Sequence, residues 1–495
     1  MENFGKIVQE LRGSFMKGRT RSIEFRIQQL KNIERMMIEN EQCFIDALKS
    51  DLNKPVQDTI LAEIDYVKND CISLIRNIHK WTADQPVAKS PTTLMDKPYL
   101  HPEPFGVALI IGAWNFPLHL SLAPLTPAIA AGNCAVIKPS EIAPATAKAL
   151  ADLIPLYLDQ QCYRVVSGGV PETTELLKLQ FDYIFYTGST VVGKIIAEAA
   201  AKYLTPCTLE LGGKSPAFVD DCTNLETAVK RLLWGKFNNA GQICVAPDYV
   251  LCTKSVEKKI VPLMKKIIKE WYSDQPASSG CYCRIVSTRH VERLQNMINK
   301  TTGNIVIGGT IEASEKYIEP TVITGVNFDD STMQEEIFGP ILPIINIESV
   351  NEAIELINSR DKPLALYVFS ENESVINQIR DQTSSGGFTV NDTILQLSVE
   401  ELPFGGVGSS GTGAYHGKHG FDTFTHYKPV LEKDLGWMME KVSDFRYPPY
   451  DPKRIGFIRN LTKNRELPSF GFLKYLMMLL LGGVLGYASA CLAKE

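Results

Sequence analysis

Four short apolar runs, each ending in a glycine- or proline-bearing loop, constrain this chain more than any other feature. FGVALII at 105–111, CAVIKPS at 134–140, YRVVSGG at 163–169 and FDYIFYTGS at 181–189 read as strands. Helical patterns at roughly 120–131, 143–158, 172–179 and 191–203 alternate with them. Apolar runs without polar alternation are buried on both faces, and strands joined through helices run parallel. The expected fold class is therefore α/β, a Rossmann-type sheet covered by helices on both faces. The spacing of Ile23, Phe25, Ile27, Leu30, Ile33 and Met36 makes residues 1 to about 80 a helical lead-in. Beyond 210 the alternation continues, with candidate strands at 249–252, 304–309 and 365–370. The glycine-rich PFGGVGSSGTG at 403–413 reads as a structured loop, not a linker.

A second long-range constraint lies in the tail. From Tyr475 to Ala493 the sequence YLMMLLLGGVLGYASACLA carries no charge. As a helix it spans about 28 Å, the thickness of one hydrocarbon core. The other reading, a buried terminal helix, conflicts with an apolar surface all round and with Gly482, Gly483 and Gly486. Lys453, Arg454, Arg459, Lys463, Arg465 and Lys474 flank the run, and a basic flank belongs on the cytoplasmic side. The expectation is a single-pass tail anchor with a cytosolic body, held to membrane lipid by its end. MENFGKIVQELRGSF at the start is no signal peptide. A net charge of -5 on 495 residues gives no general affinity for nucleic acid. Eleven scattered cysteines form neither a disulfide framework nor, with the lone CxC at Cys281 and Cys283, a zinc site, so no metal is expected.

Ligand-binding residues are expected where strands end. Gly188, Ser189 and Gly193, between a strand and a helix, fit either a dinucleotide phosphate site or a simple capped turn. Lys138 and Glu141, just past another strand, can hold a ribose or phosphate, or be ordinary surface charges. TLELGGKSP sets Glu210 before two glycines, and NAGQICVAP sets Cys244 in a polar turn. A solvent-reachable thiol with a carboxylate nearby can pair a nucleophile with a base, whereas most lone cysteines are small buried hydrophobes.

At these residues the chain resembles the NAD(P)-dependent aldehyde dehydrogenase superfamily. Seven motifs occur in the family's order between roughly residues 5 and 445: IGAWNFP, AAGNCAVIKPSE, FYTGSTVVG, LELGGKSP, FNNAGQICVAPDY, MQEEIFGPILP and LPFGGVGSSGTG. KYLTP at 202–206, APDYVLC and AYHGKHGFDTFTHYKP at 414–429 are similar to the class 3 branch. With the apolar tail, the resemblance narrows to the tail-anchored microsomal fatty aldehyde dehydrogenases, and implies the endoplasmic reticulum membrane.

The resemblance implies roles by position. Cys244 matches the nucleophile, Glu210 the general base, and Asn115 the oxyanion-binding amide. Gly188, Ser189 and Gly193 match the turn that meets the dinucleotide; Lys138 and Glu141 lie near the adenosine ribose. Glu336 and Phe338 match the pair at the nicotinamide ribose and ring, with Trp114 beside them. Ile243 and Phe116 stand where threonine and tyrosine are usual, changes that reshape the aldehyde channel without removing a group the chemistry needs. The implied reaction is oxidation of a long-chain aldehyde through a cysteine thiohemiacetal and a thioester that Glu210-activated water hydrolyses. The implied cofactor is NAD, favoured by Glu141, with NADP also possible. Rival readings are a class 3 enzyme for medium-chain or aromatic aldehydes, a coenzyme-A-acylating dehydrogenase, which Glu210 argues against, and a non-catalytic membrane-tethered scaffold. The expected layout is an NAD-binding domain at 1–84 and 104–210, a catalytic domain at 211–395, and bridging segments at 85–103 and 396–445. A basic juxtamembrane segment at 446–474 and the anchor at 475–493 follow, in a homodimer.

Overall fold

The computed structural model describes residues 4–90 and 93–463. The helical lead-in forms as expected, through Phe4–Met16, Ile23–Glu39, Glu41–Leu52 and Asp65–Trp81. Ser22 starts the second of these by accepting from the Phe25 N–H at 3.2 Å. Its inward stripe, Leu30, Ile33, Met36 and Met37, is fully buried in the core of the first sheet.

That sheet has six strands among the described residues, in the order Gly411–Thr412, Cys207–Glu210, Tyr183–Thr187, Val107–Ile111, Cys134–Lys138 and Tyr163–Val165. The Gly411–Thr412 strand is antiparallel to its neighbour and the rest are parallel. The chain starts at the central Val107–Ile111 strand, runs outward through two strands, then crosses back to Tyr183–Thr187 on the other side. This reversal opens a crevice between the loops after Ile111 and Thr187, where open α/β sheets bind ligands.

Local differences from the sequence reading have local causes. The helix expected over 120–131 is two helices, His119–Leu122 and Leu125–Ala131, parted at Pro124, which has no N–H to continue the ladder. The strand expected over 163–169 stops at Val165, and the next helix already begins at Val170.

The second sheet has seven strands, ordered Asn304–Ile307, Thr321–Thr324, Ile341–Asn346, Tyr249–Cys252, Pro216–Val219, Ala365–Phe369 and Gly387–Val390. Asn304–Ile307 is antiparallel at one edge, and the others are parallel. Of these, 249–252, 304–309 and 365–370 are legible as strands in the sequence. Pro216, Pro343 and Gly387 obscure three of the others.

The chain divides into two compact units, 1–83 with 102–428, and 84–101 with 429 onward. Residues 396–428 thus belong with the large unit and not with a separate bridging piece. Tyr415, Phe421 and Phe424 are buried in the core of the six-stranded sheet, and that burial places the segment. A third sheet joins Gln85–Pro86, Lys97–Pro104 and Thr425–Glu432. Among the described residues no helix is long and apolar enough to cross a membrane. The expected anchor at 475–493 lies outside the described residues.

Candidate active site

The crevice at the chain reversal holds a cavity of about 760 Å³. Trp114, Lys138, Glu141, Gly188 and Ser189, all expected at the cofactor, line it together with His290. Gly188 follows the Tyr183–Thr187 strand, and its N–H donates to the Glu210 carbonyl at 3.0 Å. A Cβ at Gly188 would collide with the Tyr186 hydroxyl, so glycine here lets that ring pack against the turn at the cavity wall. Ser189 caps the helix Thr190–Ala201, accepting from the Val192 N–H at 3.4 Å. Gly193 lies inside that helix and away from the cavity. A Cβ there would sit 2.6 Å from Leu211 Cδ2, so this glycine seats the helix on the chain after the Cys207–Glu210 strand. Lys138, 4% exposed, donates to Glu141 Oε2 at 2.7 Å. Arg289 and Arg293 add positive charge to the wall. A glycine cradle, a capped helix N-terminus and three cationic side chains fit a dinucleotide with its pyrophosphate.

Across from this cleft, Cys244 sits half-buried in the loop before the Tyr249–Cys252 strand. The turn leading to it is strained. Asn239, Ala240 and Gly241 take φ of 50°, 52° and 74°, a left-handed run with only one glycine. Buried polar groups hold it. Gln242 donates from Nε2 to the carbonyls of Asn239 and Arg284, both at 3.0 Å, and its Oε1 accepts from the Val286 N–H at 3.0 Å. The Gln242 carbonyl accepts from Asn115 Nδ2 at 3.0 Å. Asn115 is thereby tied to the nucleophile's own turn, and its amide keeps a second N–H for an incoming oxygen. A side chain at Gly241 would collide with the Gly339 carbonyl, so the IFGP segment packs directly on this turn.

Glu210 ends its strand fully enclosed, 2% exposed, in register with Thr187 and Gly411. Both carboxylate oxygens are buried without a partner among the described residues. Burial raises its proton affinity well above the ordinary carboxylate range. Burial likewise raises the Cys244 thiol, helped by Glu336 and Glu210 and opposed by the Cys244 and Val245 backbone N–H groups. Glu336 is pushed up to about 8 by burial and by Asp248, against the Gly213 N–H, Lys214 and Arg293. Its carboxylate fills the space over Gly212, where a Cβ would collide with it. Asp248 fixes the segment: it accepts from Lys214 and, at 3.1 Å, from the Ile337 N–H. Phe338 meets Trp114 edge-on at 5.3 Å, which joins the EEIFGP motif to the cavity wall.

The structure thus gathers Asn115, Glu210, Cys244 and Glu336 in one enclosed site and places Trp114, Lys138, Glu141, Gly188 and Ser189 along one cavity. Sequence reasoning missed the residues underneath. Lys54 and Glu63 form a buried ion pair below the Asn115 loop. Glu63 Oε2 accepts from the Leu118 and His119 N–H groups at 3.0 and 3.1 Å, and Lys54 donates to the Asn115 carbonyl at 3.3 Å. Asn239 donates to the same carbonyl at 2.9 Å. Lys236 is fully buried, 3.9 Å from Asp248, and burial lowers it to about 8. Asn239 and Gln242 lie within the FNNAGQIC motif; Lys54, Glu63 and Lys236 lie outside the motifs.

Residues 2–430 match the aldehyde dehydrogenase family. Aldehyde dehydrogenase family 3 member A2 of Pongo abelii is 47% identical over 487 residues, 98% of each chain. The dimeric NADP-preferring aldehyde dehydrogenase of Rattus norvegicus is 49% identical over 453 residues, covering 92% of this chain and 99% of its own. The substrate-bound structure of AldH from Staphylococcus aureus superimposes with a TM-score of 0.90 at 40% identity, over 94% of this chain and 100% of that one. The chain belongs to the aldehyde dehydrogenase family and is an NAD(P)-dependent enzyme of aldehyde oxidation.

Proposed function

We propose that this enzyme oxidises long-chain aliphatic aldehydes at a membrane surface, with Cys244 as nucleophile, Glu210 as general base and Asn115 as oxyanion donor. The observation that carries the chemistry is Glu210, whose two oxygens are buried beside the thiol with no partner among the described residues. An unpaired buried carboxylate is costly and survives where water must be activated. As the thiolate, its proton released to solvent, Cys244 attacks the aldehyde carbon, and the second Asn115 N–H with the Cys244 N–H stabilises the resulting oxygen charge. The dinucleotide supplies the hydride acceptor when bound. Glu210 takes a proton from water, which then hydrolyses the acyl group from Cys244. Positioned general-base catalysis of this kind is worth about 10²–10⁴.

Trp114, Lys138, Glu141, Gly188 and Ser189 would hold the cofactor, with Glu336 and Phe338 at the reactive end. Glu141 alone disfavours a 2′-phosphate, but its ion pair with Lys138 offsets that charge, which supports use of both NAD and NADP.

The long-chain substrate rests on the uncharged run from Tyr475 to Ala493 and its basic flank. Aldehydes enter membranes at about 0.8 kcal/mol per methylene, so a tethered enzyme meets them where they concentrate. The anchor, the endoplasmic reticulum location and the cytosolic body belong to the same proposal. So does a homodimer: Thr425–Glu432 is the edge strand of its sheet, and pairing with a second copy would cover its open backbone.

The test is NADH and NADPH formation by full-length protein in detergent, from butanal to hexadecanal and from benzaldehyde. The expected result is a kcat/KM that climbs with chain length. A maximum at benzaldehyde or butanal would favour the medium-chain or aromatic reading. Deleting 471–495 should release the protein from membranes with its activity on short aldehydes retained.

A further inference from the structure

A chain of rings runs from Asn115 round to the nucleophile and base. Phe116, next to Asn115, faces His119 at 6.4 Å, and His119 stacks on Tyr66 at 3.8 Å with planes 26° apart. Beyond Tyr66 lies His416 at 5.7 Å, which meets Tyr415 edge-on at 4.5 Å. Tyr415 in turn lies within electrostatic reach of Glu210 and Cys244. None of these rings lines the dinucleotide cavity. The arc thus flanks the nucleophile and base from outside that cavity, with Phe116 at one end and Tyr415 at the other.

His119 is the polar member whose hydrogen bonding the structure defines. Its backbone N–H is held by Glu63, and its Nδ1 lies 3.1 Å from the Ala62 carbonyl. A carbonyl only accepts, so Nδ1 carries the proton and Nε2 is a bare acceptor. Nε2 is buried and has no partner among the described residues. Burial, His416 and Lys54 lower the ring's proton affinity to about 3, so it stays neutral across the physiological range. His416 Nδ1, across Tyr66, is also buried without a partner. An all-carbon aldehyde leaves the His119 acceptor unsatisfied, whereas a ligand donor would satisfy it.

We infer that His119 is a specificity-determining residue that accepts a hydrogen bond from a hydroxyl on the substrate, selecting hydroxyl-bearing aldehydes over their all-carbon counterparts. The inference rests on the aldehyde reaction at Cys244 but not on the long-chain preference. Turnover of the all-carbon member of each pair reports that reaction by itself.

The experiment compares kcat/KM within isosteric pairs: 3- and 4-(hydroxymethyl)benzaldehyde against the matching ethylbenzaldehydes, and 3-hydroxydecanal against 3-methyldecanal. The wild-type protein should favour the hydroxyl member of at least one pair by about tenfold, the effect of one well-made hydrogen bond. His119→Phe keeps a ring against Tyr66 but removes the acceptor, and should abolish the preference. His119→Gln retains an acceptor oxygen and should recover part of it. No wild-type preference in any pair overturns the inference, as does a preference that survives in His119→Phe. Should that variant fail to fold, the wild-type ratios and His119→Leu, which also lacks an acceptor, still decide: a Leu variant that keeps the wild-type preference counts against His119.

Discussion

Two turns make this site, and they are built in opposite ways. The turn at Gly188–Gly193 is relaxed: an ordinary strand ends, Ser189 caps a regular helix, and no residue of the turn takes a left-handed φ. The turn at Asn239–Cys244 is strained: two non-glycine residues take left-handed φ, and Gln242, Asn239 and Asn115 lock it with buried hydrogen bonds. The difference follows from what each must do. A cofactor enters and leaves, so its turn needs room and exposed N–H groups. A nucleophile must stay in place against a carbonyl, and buried, satisfied polar groups hold it there against strain.

Breaking the catalytic side should have the larger effect. Glu210→Gln keeps the shape but cannot take a proton. Steady-state turnover is expected to fall by about 10²–10⁴, while stopped-flow mixing shows a rapid first equivalent of NADH before the slow phase. Unchanged steady-state turnover would assign the base to another residue.

The cofactor side should break more gently. Gly188→Ala adds one methyl where the Tyr186 hydroxyl and ring edge now sit, so that ring, which lines the cavity, must move. The expected outcome is an increase of about tenfold in KM for NAD, with kcat changed much less, because the lost contact is made equally in ground and transition states. Titration of dinucleotide binding by protein fluorescence checks the same change without turnover. A collapse of kcat at unaltered cofactor affinity would mean that the relaxed turn takes part in the chemistry.

The same contrast governs what the sequence discloses. The relaxed half was readable because its signals are local. Apolar runs mark the strands, a glycine marks the turn, and a serine marks the cap. Five cofactor residues expected from that texture and the family motifs meet at one cavity. The strained half is made by distance. Cys244 and Glu210 stood out through their motifs, while their surroundings did not. The residue reading left Cys244 either a solvent-reachable thiol or a small buried hydrophobe, and Glu210 a carboxylate set before two glycines. The structure gives a half-buried thiol and a fully enclosed Glu210 at a strand end. Lys54 and Glu63 lie in the helical lead-in, where charged residues ordinarily face water. Their burial follows only when the Asn115 loop packs onto them. His119 likewise reads as one more helix-start residue until Ala62 and Tyr66 fix its ring.

The most direct test of the account is the position of the acyl group. Glu210→Gln protein is mixed with NAD and decanal, quenched in acid, digested, and its peptides weighed. The account predicts one decanoyl group on the peptide carrying Cys244, and none when Cys244→Ser is added to the same protein. An acyl group on a different residue, or NADH formation that continues in Cys244→Ser within tenfold of wild type, would contradict it.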